Sequence, residues 1–162
     1  MRAEGIYLRP GEAYLGDRHV LVSTILGSCV SITMFHKSLP GRICHAVLPS
    51  NPDPLTTNVF HYVDSSMQYM LDSMLSTGIS KREIEVKAFG GANSFRSESG
   101  VGDLNAAAAL RFVKKEGLKL WASDLGGKSG RKILFDTRTG MVLLKRLNTS
   151  EAQPLLTSCS EP

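Results

Sequence analysis

Cys29 follows a glycine and a serine in Leu26-Gly27-Ser28-Cys29-Val30, between the strand-like runs Val20–Ile25 and Val30–Phe35. Glycine permits backbone geometry and close approach that other residues cannot manage, so the thiol is expected on a kink, at the mouth of a cleft. His45 follows in a second strand-like run, Ile43-Cys44-His45-Ala46-Val47. A thiol and an imidazole on successive strands are the minimum parts of a cysteine nucleophile and its base. The base is needed because a thiol of pKa ~8.5 is only a few per cent thiolate near neutrality. Side chains alternate along a strand, so Cys44 and His45 cannot both face Cys29. If His45 does, Cys44 is a small buried hydrophobe. A buried strand cysteine and a hydrogen-bonded core histidine fit the same residues, and spacing alone leaves both readings open.

Other chemistries fit less well. Zinc could draw on Cys29, Cys44, His45 and His61, but no Cys-x-x-Cys or His-x-x-x-His occurs, and adjacent Cys44-His45 converge poorly on one ion. Gly90-Gly91, Gly100 and Gly102 form neither a dinucleotide fingerprint nor a phosphate loop with its lysine. Asp64, Asp103, Asp124 and Asp136 show no paired spacing for two-carboxylate chemistry, and Asp103 reads as a helix cap or dipole partner. The net charge of +4 is mild and its lysines and arginines are scattered, which argues against nucleic acid as a partner. No apolar run approaches the ~20 residues that cross a bilayer, so no membrane insertion is expected. The N-terminus lacks the apolar core of a signal peptide, and three cysteines do not make a secreted disulfide framework. A cytoplasmic location with reduced thiols is expected.

The elements that must position Cys29 and His45 follow from periodicity. His19–Phe35 predicts two strands, or one bent at Cys29; Lys37–Gly41 a turn; and Arg42–Leu48 a strand ended by the prolines of Asn51-Pro52-Asp53-Pro54. From Asn58 to Ser76, Val59, Val63, Met67, Met70, Leu71, Met74 and Leu75 recur at helical spacing, with Asn58 as N-cap and Gly78 beyond the C-terminus. That methionine stripe reads as core rather than as a partner groove. Ile84–Phe89 is a half-buried strand, Asp103–Glu116 a helix with Leu104, Ala107, Ala108 and Phe112 on its face, and Leu118–Ser123 a strand. A closing hairpin pairs Lys132–Phe135 with Met141–Leu144 through a turn ending at Gly140. The expectation is an α+β fold: a single-domain layered α/β sandwich of mostly antiparallel strands with two main helices packed on the sheet. The domain should span residues 1–147, and 148–162, including Cys159, a disordered polar tail.

Several segments, in order, resemble a known family. Ser23-Thr24-Ile25-Leu26-Gly27-Ser28-Cys29-Val30 and Cys44-His45-Ala46-Val47-Leu48-Pro49 are similar to the two signature segments of CheD, the chemoreceptor glutamine deamidases. Phe89-Gly90-Gly91-Ala92, the run Asp124 to Lys132, and Phe135 through Gly140 to Val142 resemble its later segments. The resemblance covers about residues 5–147, and five ordered segments are far more specific than any one of them. It implies a layered α/β sandwich related to deamidating bacterial toxins, and a cysteine hydrolase that converts receptor glutamines to glutamates with release of ammonia. No metal or organic cofactor is implied. The family's nucleophile falls on Cys29 and its histidine on His45. Its threonine, six positions before the cysteine, falls on Ser23, with Thr24 adjacent, so either hydroxyl could orient the histidine. Chemoreceptors are the implied substrates; family members can also bind the phosphatase CheC, and some act on receptor glutamate methyl esters. The loops Ser94–Gly100 and Gly126-Gly127 could border a cleft for a receptor helix. The alternatives are a non-catalytic module docking to a chemotaxis partner and, more weakly, a papain-like protease, whose histidine lies far downstream of its cysteine.

Overall fold

Alternating burial along the strands sorts the chain into three layers. The structure, a computed structural model, describes residues 4–93 and 100–148. One sheet contains β1 (Glu4–Tyr7), β3 (Val20–Leu26), β8 (Arg131–Asp136) and β9 (Val142–Arg146), in the order β1-β3-β8-β9. The second contains β2 (Ala13–Tyr14), β4 (Val30–His36), β5 (Leu39–Ala46), β6 (Glu85–Gly90) and β7 (Lys119–Leu125), in the order β2-β5-β4-β6-β7. Pairing is antiparallel except between β1 and β3 and between β6 and β7. Two helices, α1 (Val63–Leu75) and α2 (Val101–Lys115), pack on the outer face of the second sheet. This is the expected α+β layered sandwich.

The two faces of the second sheet have different neighbours. Val30, Ile32, Met34, Cys44 and Ala46 meet the helices, where Met67, Met70 and Met74 are fully buried. The methionine stripe is core, as its spacing predicts. On the other face, Cys29, Ile43, Val47 and Phe89 meet Val20, Val22, Leu26, Ile133 and Phe135 of the first sheet. Every residue of β4 is buried, as befits a strand covered on both sides.

Several boundaries differ from their expected positions. Of the two readings of His19–Phe35, two strands is the one found: β3 and β4 belong to different sheets, and Gly27–Cys29 carries the chain between them. The turn expected over Lys37–Gly41 shortens to Lys37-Ser38, and β5 begins at Leu39 and ends at Ala46. Pro40 fits because the β4–β5 register slips between Met34 and His36, and a bulge tolerates a residue without an N–H. Asn58 caps no α-helix. A 3-10 turn spans Val59–His61, and Tyr62 is extended (φ −118°, ψ 142°) where it bridges Leu48, so α1 cannot start before Val63. On α2 the buried face is Gly102, Asn105, Ala108, Ala109, Phe112 and Val113, whereas Leu104 and Ala107 are exposed. That face is rotated by one residue because a polar side chain, Asn105, holds a core position. The closing hairpin forms as expected, with Gly140 at φ 79°. The expected tail from residue 149 on, Cys159 included, and the loop at 94–99 lie outside the described residues.

Candidate active site

Thr24 is fully buried on the inner face of β3, and its hydroxyl meets two groups. It donates to the Leu8 carbonyl at 2.7 Å and lies 2.7 Å from Nδ1 of His45. A hydroxyl has one proton, and a carbonyl can only accept. The Thr24 proton therefore goes to Leu8, and Nδ1 of His45 must donate to Thr24. In the neutral imidazole this fixes the tautomer: Nδ1 carries the hydrogen and Nε2 the lone pair. Ser23, the neighbouring candidate, alternates to the other, half-buried face of β3, so the hydroxyl on His45 is Thr24's.

His45 is itself 1% exposed, and its backbone is held on both sides. Its N–H donates to Glu12 O at 2.9 Å, and its carbonyl accepts from Gly11 N–H at 2.7 Å. Its cross-strand partner on β4 is Ser31. Cys29 lies two residues before Ser31 and shares the layer between the sheets, which makes it a diagonal neighbour of His45 on one face. Such neighbours lie ~7–8 Å apart at Cα, within reach of an imidazole. The sequence therefore brings Cys29, His45 and Thr24 to one layer from three strand segments. The expected mouth of a cleft is not what surrounds the thiol, for Cys29 is fully buried, because its kink turns it inward between the sheets.

The glycine-rich segment after β6 holds the Cys29 backbone rather than a phosphate. Gly91 N–H donates to the Cys29 carbonyl at 2.9 Å, and Ala92 N–H to that of Gly27 at 2.9 Å. Gly90 has φ 110°, and a Cβ there would stand 2.2 Å from the Cys29 carbonyl oxygen. The later glycine segment supports this turn in its own way: Gly126 N–H donates to Gly90 O and Asn93 N–H to Gly127 O. Arg131, 1% exposed, fastens that loop by donating to Asp124 (2.8 Å), Ser129 O and Gly126 O, and Arg146 also pairs with Asp124. Burial works against the Asp124 carboxylate, but hydrogen bonds from Arg146 and Arg131 outweigh it and hold its pKa below the ordinary value.

The remaining sequence candidates separate from this centre. Cys44 faces the helices, and burial pushes its thiol up to about 11, so it is no second nucleophile at neutral pH. His61 is half-buried, and its carbonyl accepts from Val47 and Leu48 N–H. No group of three metal-ligating side chains occurs among the described residues. Asp103 lies in the first turn of α2, and its N–H donates to the Asn93 side-chain oxygen at 3.3 Å.

Two contributors escape motif reading. One is the Leu8 carbonyl, a backbone group that no residue type announces. The other is Asn105, fully buried, whose amide donates to the carbonyls of Ser28 and Val47, each at 2.9 Å. A lone asparagine on an apolar helical stripe was the signal available for it.

Comparisons with known proteins identify the family of the chain. The family model described as "CheD chemotactic sensory transduction" matches residues 47–146. The chain is 47% identical over 151 residues to "Probable chemoreceptor glutamine deamidase CheD 2" of Geobacter sulfurreducens, covering 91% of this chain and 92% of that one. It is 42% identical over 155 residues to "Probable chemoreceptor glutamine deamidase CheD" of Maridesulfovibrio salexigens, covering 88% and 91%. A protein of that name from Thermococcus kodakarensis is 35% identical over 148 residues, covering 87% and 92%. A match over 91% of 162 residues necessarily includes positions 23–45, which the family model's span does not reach.

Proposed function

The chain belongs to the CheD family, and from that premise we propose that it deamidates glutamine side chains of chemoreceptors, with Cys29 as nucleophile, His45 as base and acid, and Thr24 orienting the imidazole. The observation that carries the residue roles is the Thr24 bridge: with its proton committed to Leu8, it keeps the His45 lone pair on Nε2.

The chemistry then runs without metal or cofactor. Nε2 of His45 takes the Cys29 proton, and the thiolate attacks the glutamine side-chain carbonyl carbon to form a tetrahedral oxyanion. Backbone N–H groups near the Gly27–Cys29 kink are the proposed donors to that oxyanion. Collapse breaks the C–N bond; the imidazolium gives its Nε2 proton to the departing ammonia and leaves a thioester on Cys29. His45 then takes a proton from water, hydroxide adds to the thioester, and glutamate departs as the thiol is restored. During both steps the imidazolium charge lies on a ring whose Nδ1–H already has its acceptor.

A hydrolase with an obligatory thiol belongs in a reducing compartment, so the cytoplasm is the proposed location. No helix among the described residues is long and apolar enough to cross a membrane. Docking to CheC belongs to the same proposal, as does a folded unit ending near residue 147.

Ammonia release from purified receptor tests the reading. Wild type should release ammonia stoichiometric with new glutamate, and Cys29→Ala and His45→Ala should release essentially none. Continued deamidation by Cys29→Ala removes the nucleophile assignment. No release by wild type from any receptor leaves a binding module instead.

A further inference from the structure

We infer that Asn105 is a positioning residue that sets the placement of Cys29 relative to His45. This deepens the reading above and rests on it.

The ladder between the nucleophile strand and the histidine strand ends at the pair Val30–Ala46. Both site segments continue past that point: Cys29 precedes Val30, and Val47 follows Ala46. Beyond the ladder, the Asn105 amide takes over as the tie between them. Its nitrogen donates to Ser28 O at 2.9 Å and to Val47 O at 2.9 Å, across 77 and 58 residues of sequence. Both partners are carbonyls, which can only accept, so the nitrogen of the amide is the atom that faces them.

Each carbonyl is well placed to control a reacting group. The Ser28 carbonyl belongs to the peptide plane that ends at the Cys29 nitrogen, so holding it fixes the plane from which the thiol side chain projects. Val47 is two residues after His45, on the same face of the same strand direction. The helix that carries Asn105 is itself pressed on the neighbouring turn. A Cβ at Gly102 would stand 2.2 Å from the Ala92 carbonyl, and Ala92 N–H donates to Gly27 O. The amide is thus a fixed fork, with both prongs used.

Packing alone does not account for this side chain. Asn105 is fully buried, and its Oδ1 has no hydrogen-bond partner among the described residues. A buried acceptor left unmet is unfavourable, and leucine would fill a similar volume on an otherwise apolar face. The two donated bonds are what leucine could not supply.

The test compares Asn105→Ala and Asn105→Leu with wild type and Cys29→Ala, in the full chain. The first readout is kcat and KM for ammonia release from receptor. The second is the rate of Cys29 alkylation by iodoacetamide across pH, followed by mass spectrometry on folded protein. Displacement of reacting groups by about 1 Å costs on the order of 10²-fold in rate. We therefore expect kcat to fall about 10- to 100-fold in both variants with KM little changed. The midpoint of the alkylation profile should move upward, because the thiol and imidazole no longer meet at the set distance. Asn105→Leu keeps the core filled and so separates loss of positioning from loss of folding. If folded Asn105→Leu keeps wild-type kcat and an unmoved alkylation midpoint, Asn105 is a structural residue only and the inference falls. Should Cys29→Ala retain activity, the assignment of the nucleophile falls instead, whatever Asn105 does.

Discussion

Replacing Thr24 by valine is the sharpest test of how His45 is oriented. Valine keeps the shape of threonine and exchanges the hydroxyl for a methyl group. Two contacts disappear: the 2.7 Å bond to Leu8 O and the 2.7 Å bond from His45 Nδ1. Thr24 and His45 are both buried, so water cannot easily replace either. Each neutral bond contributes ~0.5–1.5 kcal/mol net, so a stability loss of about 1–3 kcal/mol is expected in urea unfolding. The catalytic effect is separate from that loss and depends on how much stronger the bond becomes in the transition state. In the transition state His45 is charged, and a hydrogen bond to a charged group contributes ~1.5–3 kcal/mol. The neutral bond is also lost from the ground state, so only the difference of about 1–1.5 kcal/mol lowers kcat, by roughly 5- to 13-fold. A tautomeric shift in the variant, with the proton leaving Nδ1 and one bound at Nε2, would deepen the loss. Thr24→Ser should restore most of the rate, because its hydroxyl can make both bonds. Ser23→Ala should leave kcat within about twofold, since that side chain lies on the other face of β3. The assay is ammonia release from receptor at saturating substrate, on protein shown to be folded. Wild-type kcat in Thr24→Val, together with a large loss in Ser23→Ala, would refute the assignment and the register argument behind it.

Two further outcomes follow from the groups that support the site. Gly90→Ala should destabilise by about 3–5 kcal/mol, combining left-handed strain with a Cβ 2.2 Å from Cys29 O, whereas Gly126→Ala meets nothing within 4 Å and should cost about 1–2 kcal/mol. Equal urea midpoints for the two variants would contradict that account. Asp124→Asn leaves the buried Arg131 without its carboxylate and should cost about 3 kcal/mol near pH 7, less than a fully buried pair because Asp124 is partly solvated. The Asp124 pKa is lowered on folding, so its contribution is complete above the unfolded value of ~3.9 and is lost as pH falls through the folded value. The stability gap between wild type and Asp124→Asn should therefore be constant from pH 7 to about 5 and narrow below pH 4; a constant gap down to pH 3 would show that the carboxylate charge is not what holds the loop.

How much of this was readable from residue order depends on the distance over which each feature is determined. Strand and helix identities are local, and the alternation in Val20–Leu26 or the methionine spacing of α1 carried them well. The bend at Gly27-Ser28 was equally visible, but its meaning was not. A glycine marks that the chain can turn there, and only the pairing of β3 with β8 and of β4 with β5 and β6 makes the turn a crossing between sheets. The same limit explains the burial of Cys29. Local sequence shows a kink, whereas the face that covers it is completed by Ile133 and Phe135 of β8, about a hundred residues later. The start of α1 shifted because Tyr62 is drawn into a bridge with Leu48, a contact that no capping rule encodes. Asn105 has no signature among apolar residues, because the buried stripe of α2 passes through a polar one.

The choice between Ser23 and Thr24 shows where residue type and position part company. A motif aligned by counting back from the cysteine selects Ser23, because counting assumes a constant path between the two points. A strand that leads into a kink at Gly27-Ser28 gives no such guarantee: a single residue of difference turns a side chain to the other face. What fixes the hydroxyl on His45 is the register of β3 against β8, with Thr24 opposite Ile133, whose side chain is itself fully buried between the sheets. A position paired with a buried core residue must point inward, and Ser23, paired with the half-buried Leu134, must point out. The face that a residue occupies, more than its spacing from the nucleophile, therefore decides which hydroxyl can serve the imidazole.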